Sequence, residues 1–283
     1  VGVAAGMAWY AGWLAVSSAL SDEKEKTEDM AARTVAIAQP EDLPSSSTYD
    51  NATHTFRLDP SFDIAGEDGE LLRIVQNDDT DGRRLAIIGG DQRYAQTSRE
   101  FPWSTTGLLT RVFFENGQGY RSICSATLVG PRWLASAFHC VGTGLQDAEG
   151  NPTFHEGYLF YPGLIDFVAP AEARVINVVH KETDFPRYNG GGRWVNFDYD
   201  VVLLELDRDI GTSFGWMKMA DKWVYRNAPP PGAHVFNVGH SSDRGWQTAS
   251  VSTDCTVSSV VQDTIRHDCD LYPGASGGGL LMQ

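Results

Sequence analysis

From residue 87 onward the chain predicts an all-β protein, on three observations. Apolar runs at 107–114, 126–129, 175–179, 201–206, 234–238 and 256–261 are short, rich in Val, Ile and aromatics, and separated by Gly, Pro, Asn and Asp. Glycine is abundant, 29 of 283 residues, which suits strands and turns better than helices. No long stretch carries clean helical spacing of its apolar residues. A barrel and a sandwich both satisfy these signs, and no internal repeat is visible.

Ahead of this region the composition changes twice. Residues 1–20, VGVAAGMAWYAGWLAVSSAL, are uncharged and mostly apolar, which fits a secretory signal core or a membrane anchor. Ser17 and Ala19 supply small residues for a cleavage after Ala19, and the polar run SDEKEKTED follows at once, which favours the signal reading. Residues 21–86 are acidic and polar, with Pro40, Pro44 and a run of three serines. Such a segment buries little and is expected to be a flexible propeptide or linker. Asn51-Ala52-Thr53 is a glycosylation sequon of a kind common by chance.

Charge and cysteines narrow the function classes. The net charge is −15, and the segment 21–84 carries −9 of it, with 16 acidic against 7 basic residues. A chain this acidic repels a phosphate backbone, so nucleic acid is not expected as a partner, and solubility is the plain reading of the charge. Cys124, Cys140, Cys255 and Cys269 form two local pairs. No CxxC and no His/Cys cluster has zinc spacing, so no metal site and no cofactor is expected. An even count in local pairs suggests disulfides and an oxidising compartment.

Acyl transfer by a serine needs an exposed hydroxyl on a tight turn, an imidazole to take its proton, a carboxylate to orient the imidazole, and backbone N–H groups for the oxyanion. Ser276 sits in Tyr272-Pro273-Gly274-Ala275-Ser276-Gly277-Gly278-Gly279, where glycines on both sides permit a tight turn and leave the N–H groups of Gly274 and Ser276 free to point at one spot. His139 follows the apolar stretch Trp133-Leu134-Ala135-Ser136-Ala137-Phe138 and precedes Cys140. Asp200 enters the apolar run Val201-Val202-Leu203-Leu204, where a carboxylate is costly to bury without donors. Asp198 competes for that role and reads better as an exposed turn residue. Each residue alone has an ordinary structural explanation.

Together, and in this order, the four motifs resemble the trypsin-like (chymotrypsin-like) serine peptidase family. Cys124-Ser125-Ala126-Thr127-Leu128 through Ser136-Ala137-Phe138-His139-Cys140 is similar to the stretch around that family's histidine. Asp200-Val201-Val202-Leu203-Leu204 is similar to its aspartate strand, and Gly274-Ala275-Ser276-Gly277-Gly278 to its serine loop. Ile87-Ile88-Gly89-Gly90 with Phe101-Pro102-Trp103 resembles the start of its mature chain. His267-Asp268-Cys269-Asp270, Tyr161-Pro162-Gly163 and Ile210-Gly211 with Gly215-Trp216 resemble the bacterial branch containing glutamyl endopeptidases. The resemblance covers residues 87–283. It implies two six-stranded antiparallel β-barrels with the site between them, disulfides Cys124–Cys140 and Cys255–Cys269, and a secreted or periplasmic endopeptidase acting on proteins or peptides. Membrane contact is then expected only through residues 1–20.

Departures from the family pattern set further expectations. Ala275 stands where the animal enzymes carry the aspartate that pairs with the new N-terminal amine, so activation after Arg83, Arg84 or Ala86 would take another route. Phe138 replaces a customary alanine and is expected to crowd the His139 turn, at ~1–3 kcal/mol if overpacked. Gly279 replaces a customary proline. Asp270 falls where the family's selector for basic residues lies, with Leu271 beside it. These two are candidates for the specificity pocket, and a structural role for Asp270 is equally open. Gln283 lies soon after Ser276, so the second barrel is expected to be truncated at the C-terminus and this length of chain to be inactive or poorly stable.

Overall fold

The computed structural model describes residues 8–9, 32–37, 47–61, 63–64, 87, 90–115, 118–181, 185–188, 194–195, 200–219, 230–261 and 264–282. The N-terminal region contributes strand β1 (Ala32–Ala36) and the hairpin of β2 (Ser47–Asp50) with β3 (Thr55–Leu58). The body follows with β4 (Thr106–Thr110), β5 (Cys124–Gly130), β6 (Trp133–Ser136), β7 (Leu159–Pro162), β8 (Val168–Ala169), β9 (Ala173–Lys181) and β10 (Val202–Leu206). A second sheet uses β11 (His234–Gly239), β12 (Ser250–Val261), β13 (Thr264–His267) and β14 (Gly279–Met282).

Six strands close on themselves in the order β7-β4-β5-β6-β10-β9, with β9 returning to β7 through Leu159↔Arg174 and Phe160↔Ala173. Every pairing around this barrel is antiparallel. The second sheet runs β14-β11-β12-β13. Ala8–Trp9 lies beside β14, and Lys218–Met219 lies beyond that. The fold is therefore all-β, as expected. Among the described residues the second sheet is not closed.

The continuous apolar runs of the sequence are strands buried on both faces. In β10, Val202, Leu204 and Leu206 point into the first barrel while Leu203 points out. In β6, Leu134 points in and Ala135 out. The outward residues pack against Val238, Val251 and Leu281 of the second sheet. Residues two apart share a face, so an unbroken apolar run marks a strand with a hydrophobic layer on each side.

The expectation of a flexible segment over 21–86 requires correction for two stretches. β1 pairs residue by residue with β9, from Asn177↔Ala36 to Lys181↔Ala32, and Ile37 enters the barrel core. β3 pairs with β8, and Leu58 is buried with Leu108, Tyr161 and Trp246. Composition averaged over the segment hid these few apolar residues among acidic neighbours. Of residues 1–20 only Ala8–Trp9 is described, and among the described residues no helix is long and apolar enough to cross a membrane.

Candidate active site

Strand register brings His139 and Asp200 together. Ser136 of β6 lies opposite Val202 of β10. The strands are antiparallel, so the chain leaving β6 and the chain entering β10 meet at one end of the barrel. His139 occupies the 3-10 turn Phe138–Cys140 just after β6, and Asp200 precedes β10. One carboxylate oxygen accepts the backbone N–H of His139 at 2.9 Å, and the other lies 2.6 Å from ring Nδ1. An ionised carboxylate only accepts, so the facing Nδ1 carries the proton and Nε2 is left as the acceptor. The two side chains are 11% and 17% exposed, enough burial to strengthen the pair. Asp198 lies outside the described residues.

The histidine turn is anchored on both flanks. Cys140 is bonded to Cys124 of β5, and Cys255 to Cys269, as the resemblance implied. The Tyr158 hydroxyl donates to the carbonyl of Cys140. Both sulfurs beside the His139 ring are committed to the disulfide, so this group of three offers no thiolate to a metal. Phe138 is accommodated rather than crowded. It lies in the barrel core with its ring 5.4 Å from that of Phe154 and 5.9 Å from that of Phe185. Gly142 makes the room, because a Cβ there would sit 2.6 Å from the Phe138 ring.

The Ser276 loop is held between the two sheets. Gly274 and Gly277 have φ of 94° and 74°, in the left-handed region that favours glycine. Ser125 of β5 donates its backbone N–H to the Ser276 carbonyl at 2.7 Å and its hydroxyl to the Gly274 carbonyl at 2.8 Å. From the second sheet, Asn237 donates to the Gly279 carbonyl at 3.1 Å. Within the loop, the N–H groups of Ala275 and Gly278 donate to Tyr272 and Ala275 carbonyls. Those of Gly274 and Ser276 have no acceptor among the described residues. The Cys140 sulfur lies 3.9 Å from His139 Nε2 and 3.7 Å from the Ser276 carbonyl oxygen, so histidine turn and serine loop share a neighbour.

Two residues of this site carried no separate signal in the sequence. Ser125 is one of many serines, and only its position opposite the loop distinguishes it. His240, fully buried, donates its backbone N–H to the Ser125 hydroxyl at 2.8 Å and pairs ring Nδ1 with the Trp246 carbonyl at 2.8 Å. The pocket candidates separate. Asp270 is 5% exposed and accepts the backbone N–H of Gln92 at 3.0 Å, while its own N–H donates to Ser252. Leu271 is half-buried at the start of the serine loop.

Fold and site thus define an all-β barrel protein with a disulfide-braced His–Asp pair beside a glycine-flanked serine. Residues 124–283 match the trypsin-like peptidase domain, and the chain belongs to that family. Human serine protease 23 is 26% identical over 235 residues, covering 76% of this chain and 56% of the relative. Inactive serine protease 35 of Rattus norvegicus is 23% identical, covering 88% of this chain and 68% of the relative. The chain spans about half the length of the serine protease 23 relatives it matches. A solved Glu endopeptidase shares the fold, with a TM-score of 0.50 at 19% identity over 70% of this chain and 83% of that one.

Proposed function

We propose that this protein is a secreted serine endopeptidase that cleaves peptide bonds through an acyl-enzyme, with Ser276 as nucleophile, His139 as base and Asp200 as its orienting carboxylate. The observation that carries this reading is the double contact of Asp200, to the backbone N–H and ring Nδ1 of His139. It holds one tautomer and stabilises the imidazolium that forms. Ser276 Oγ attacks the scissile carbonyl and its proton passes to His139 Nε2. The oxyanion is received by the N–H groups of Gly274 and Ser276. Collapse breaks the C–N bond as His139 returns the proton to the leaving amine. Water then repeats the sequence on the ester and releases the acid.

Two disulfides support an oxidising, extracellular setting. Processing after Arg83, Arg84 or Ala86 would create the mature start. Ala275 cannot pair with the new amine, so a different contact must set the loop. Asp270 reads better as a structural tie than as a substrate ligand, because its carboxylate already takes a backbone N–H and is nearly buried.

Labelling of the purified protein with a fluorophosphonate tests the assignment. Modification at Ser276 that disappears in His139→Ala is expected. A folded protein left unmodified would instead be a peptidase-fold binding protein.

A further inference from the structure

We propose that the segment carrying residues 32–37 and 47–61 is a permanent, non-covalent light chain of the enzyme, those two stretches seated on a binding surface formed by the free edge of β9, by β8 and by a socket around Leu58. The proposal rests on the processing just inferred, since a cut after Arg83, Arg84 or Ala86 separates this segment from the body covalently. All four cysteines pair within 124–269, so no disulfide tethers it afterwards.

The contacts are those of a folded element. β1 adds a strand to β9 over five residue pairs, and Ile37 N–H continues the ladder to the Ile176 carbonyl at 2.9 Å. Arg33 hydrogen-bonds the Asn151 side chain. The hairpin then places β3 along β8, with Leu58 N–H donating to the Phe167 carbonyl at 2.8 Å. Ser47 donates its hydroxyl to the Glu172 oxygen that also accepts the Tyr161 hydroxyl, each at 2.6 Å. Arg121 reaches the Asp59 carbonyl at 3.2 Å. Strand addition supplies direction and register, and two buried side chains, Ile37 and Leu58, supply the apolar anchors.

The Leu58 socket also borders the candidate site. Ile123 and Trp246 line it. Ile123 packs against Gly274, where a built Cβ would lie 2.9 Å from its side chain, and the Trp246 carbonyl pairs with His240. A retained light chain therefore braces the serine loop through Ile123 and Trp246.

The test uses the full chain with a site-specific protease sequence inserted after Arg84, cut and verified by mass. Size exclusion in native buffer is expected to keep the N-terminal fragment with the body, with release only in denaturant. Leu58→Ala and, separately, Thr34→Pro, which removes an N–H from β1, are each expected to weaken retention roughly tenfold or more. Either variant suffices if the other fails to fold. Release of the fragment from the unmutated cut chain in native buffer overturns the proposal, as does retention that neither variant weakens. N-terminal sequencing of the secreted protein and Ser276 labelling report on the processing and peptidase readings independently.

Discussion

Ser125 and Gly274 are joined by a hydroxyl-to-carbonyl hydrogen bond of 2.8 Å that crosses from the first barrel to the serine loop. The Ser125 hydroxyl also accepts the His240 N–H at 2.8 Å, so one buried oxygen links both sheets to the peptide that bears a proposed oxyanion donor. Replacement by alanine leaves a buried carbonyl and a buried N–H without this partner, a loss of about 1–3 kcal/mol. Ser125→Ala is expected to lower kcat roughly tenfold or more with KM little changed. Steady-state kinetics check the split. Binding of a peptidyl boronate, which mimics the tetrahedral adduct, should weaken more than binding of substrate.

Gly277 should tolerate no side chain. Its φ is 74°, and an added Cβ would lie 2.2 Å from Ser136 Oγ and 2.3 Å from the Ser125 carbonyl. Gly150 has φ of 84° with nothing within 4 Å. Gly150→Ala is expected to cost only the backbone penalty of about 1 kcal/mol, and Gly277→Ala clearly more, with loss of Ser276 labelling. Urea titration of both variants makes the comparison.

Stability should fall with acid below the ordinary histidine range because of His240. Burial lowers its pKa from the ordinary 6.5 to about 4, the Trp246 carbonyl acting the other way. With Nδ1 donating to that carbonyl, Nε2 has no partner among the described residues, so a second proton would be buried without an acceptor. The unfolded chain binds this proton first. Stability is therefore full above about pH 6.5 and declines as pH falls toward 4, by a few kcal/mol in all. Urea midpoints from pH 4 to 7 should show this slope for the native protein and a shallower one for His240→Gln.

Asp270→Ala should reduce stability without changing which peptide bonds are cut. The carboxylate ties Gln92, and the neighbouring Arg93 is clamped by Asp91 and Asp243 with its side chain 1% exposed. The Arg93 hydrogen bonds hold the Asp91 carboxyl well below the usual carboxylate range. Losing the Gln92 acceptor costs about 1–3 kcal/mol. A peptide-library cleavage profile alike in native protein and variant is the expected result. A selective loss of cleavage after Arg or Lys would make Asp270 a substrate ligand.

His139 and Asp200 meet at one end of the first barrel. The His139–Asp200 contact was legible because β6 and β10 announce themselves as apolar runs, and a histidine and an aspartate flank them. The docking of residues 32–37 and 47–61 was not legible, because the acidic residues of that segment outnumber the few that are buried. The fit of Phe138 in the core was hidden for a related reason. It depends on the absence of a side chain at Gly142, where a Cβ would lie 2.6 Å from the Phe138 ring, a relationship that no linear pattern records.

The sequence by itself determined the strand periodicity, the cysteine pairs and the residue types able to carry acyl transfer, since each depends on spacing along one segment. Only the tertiary structure decided that Ser125 and His240 support the serine loop, that Asp270 holds Gln92, and that the N-terminal strands complete the body. Those are choices of partner between segments far apart in the chain. Hydrogen-bond geometry and packing select such partners, and both exist only once the barrel has closed.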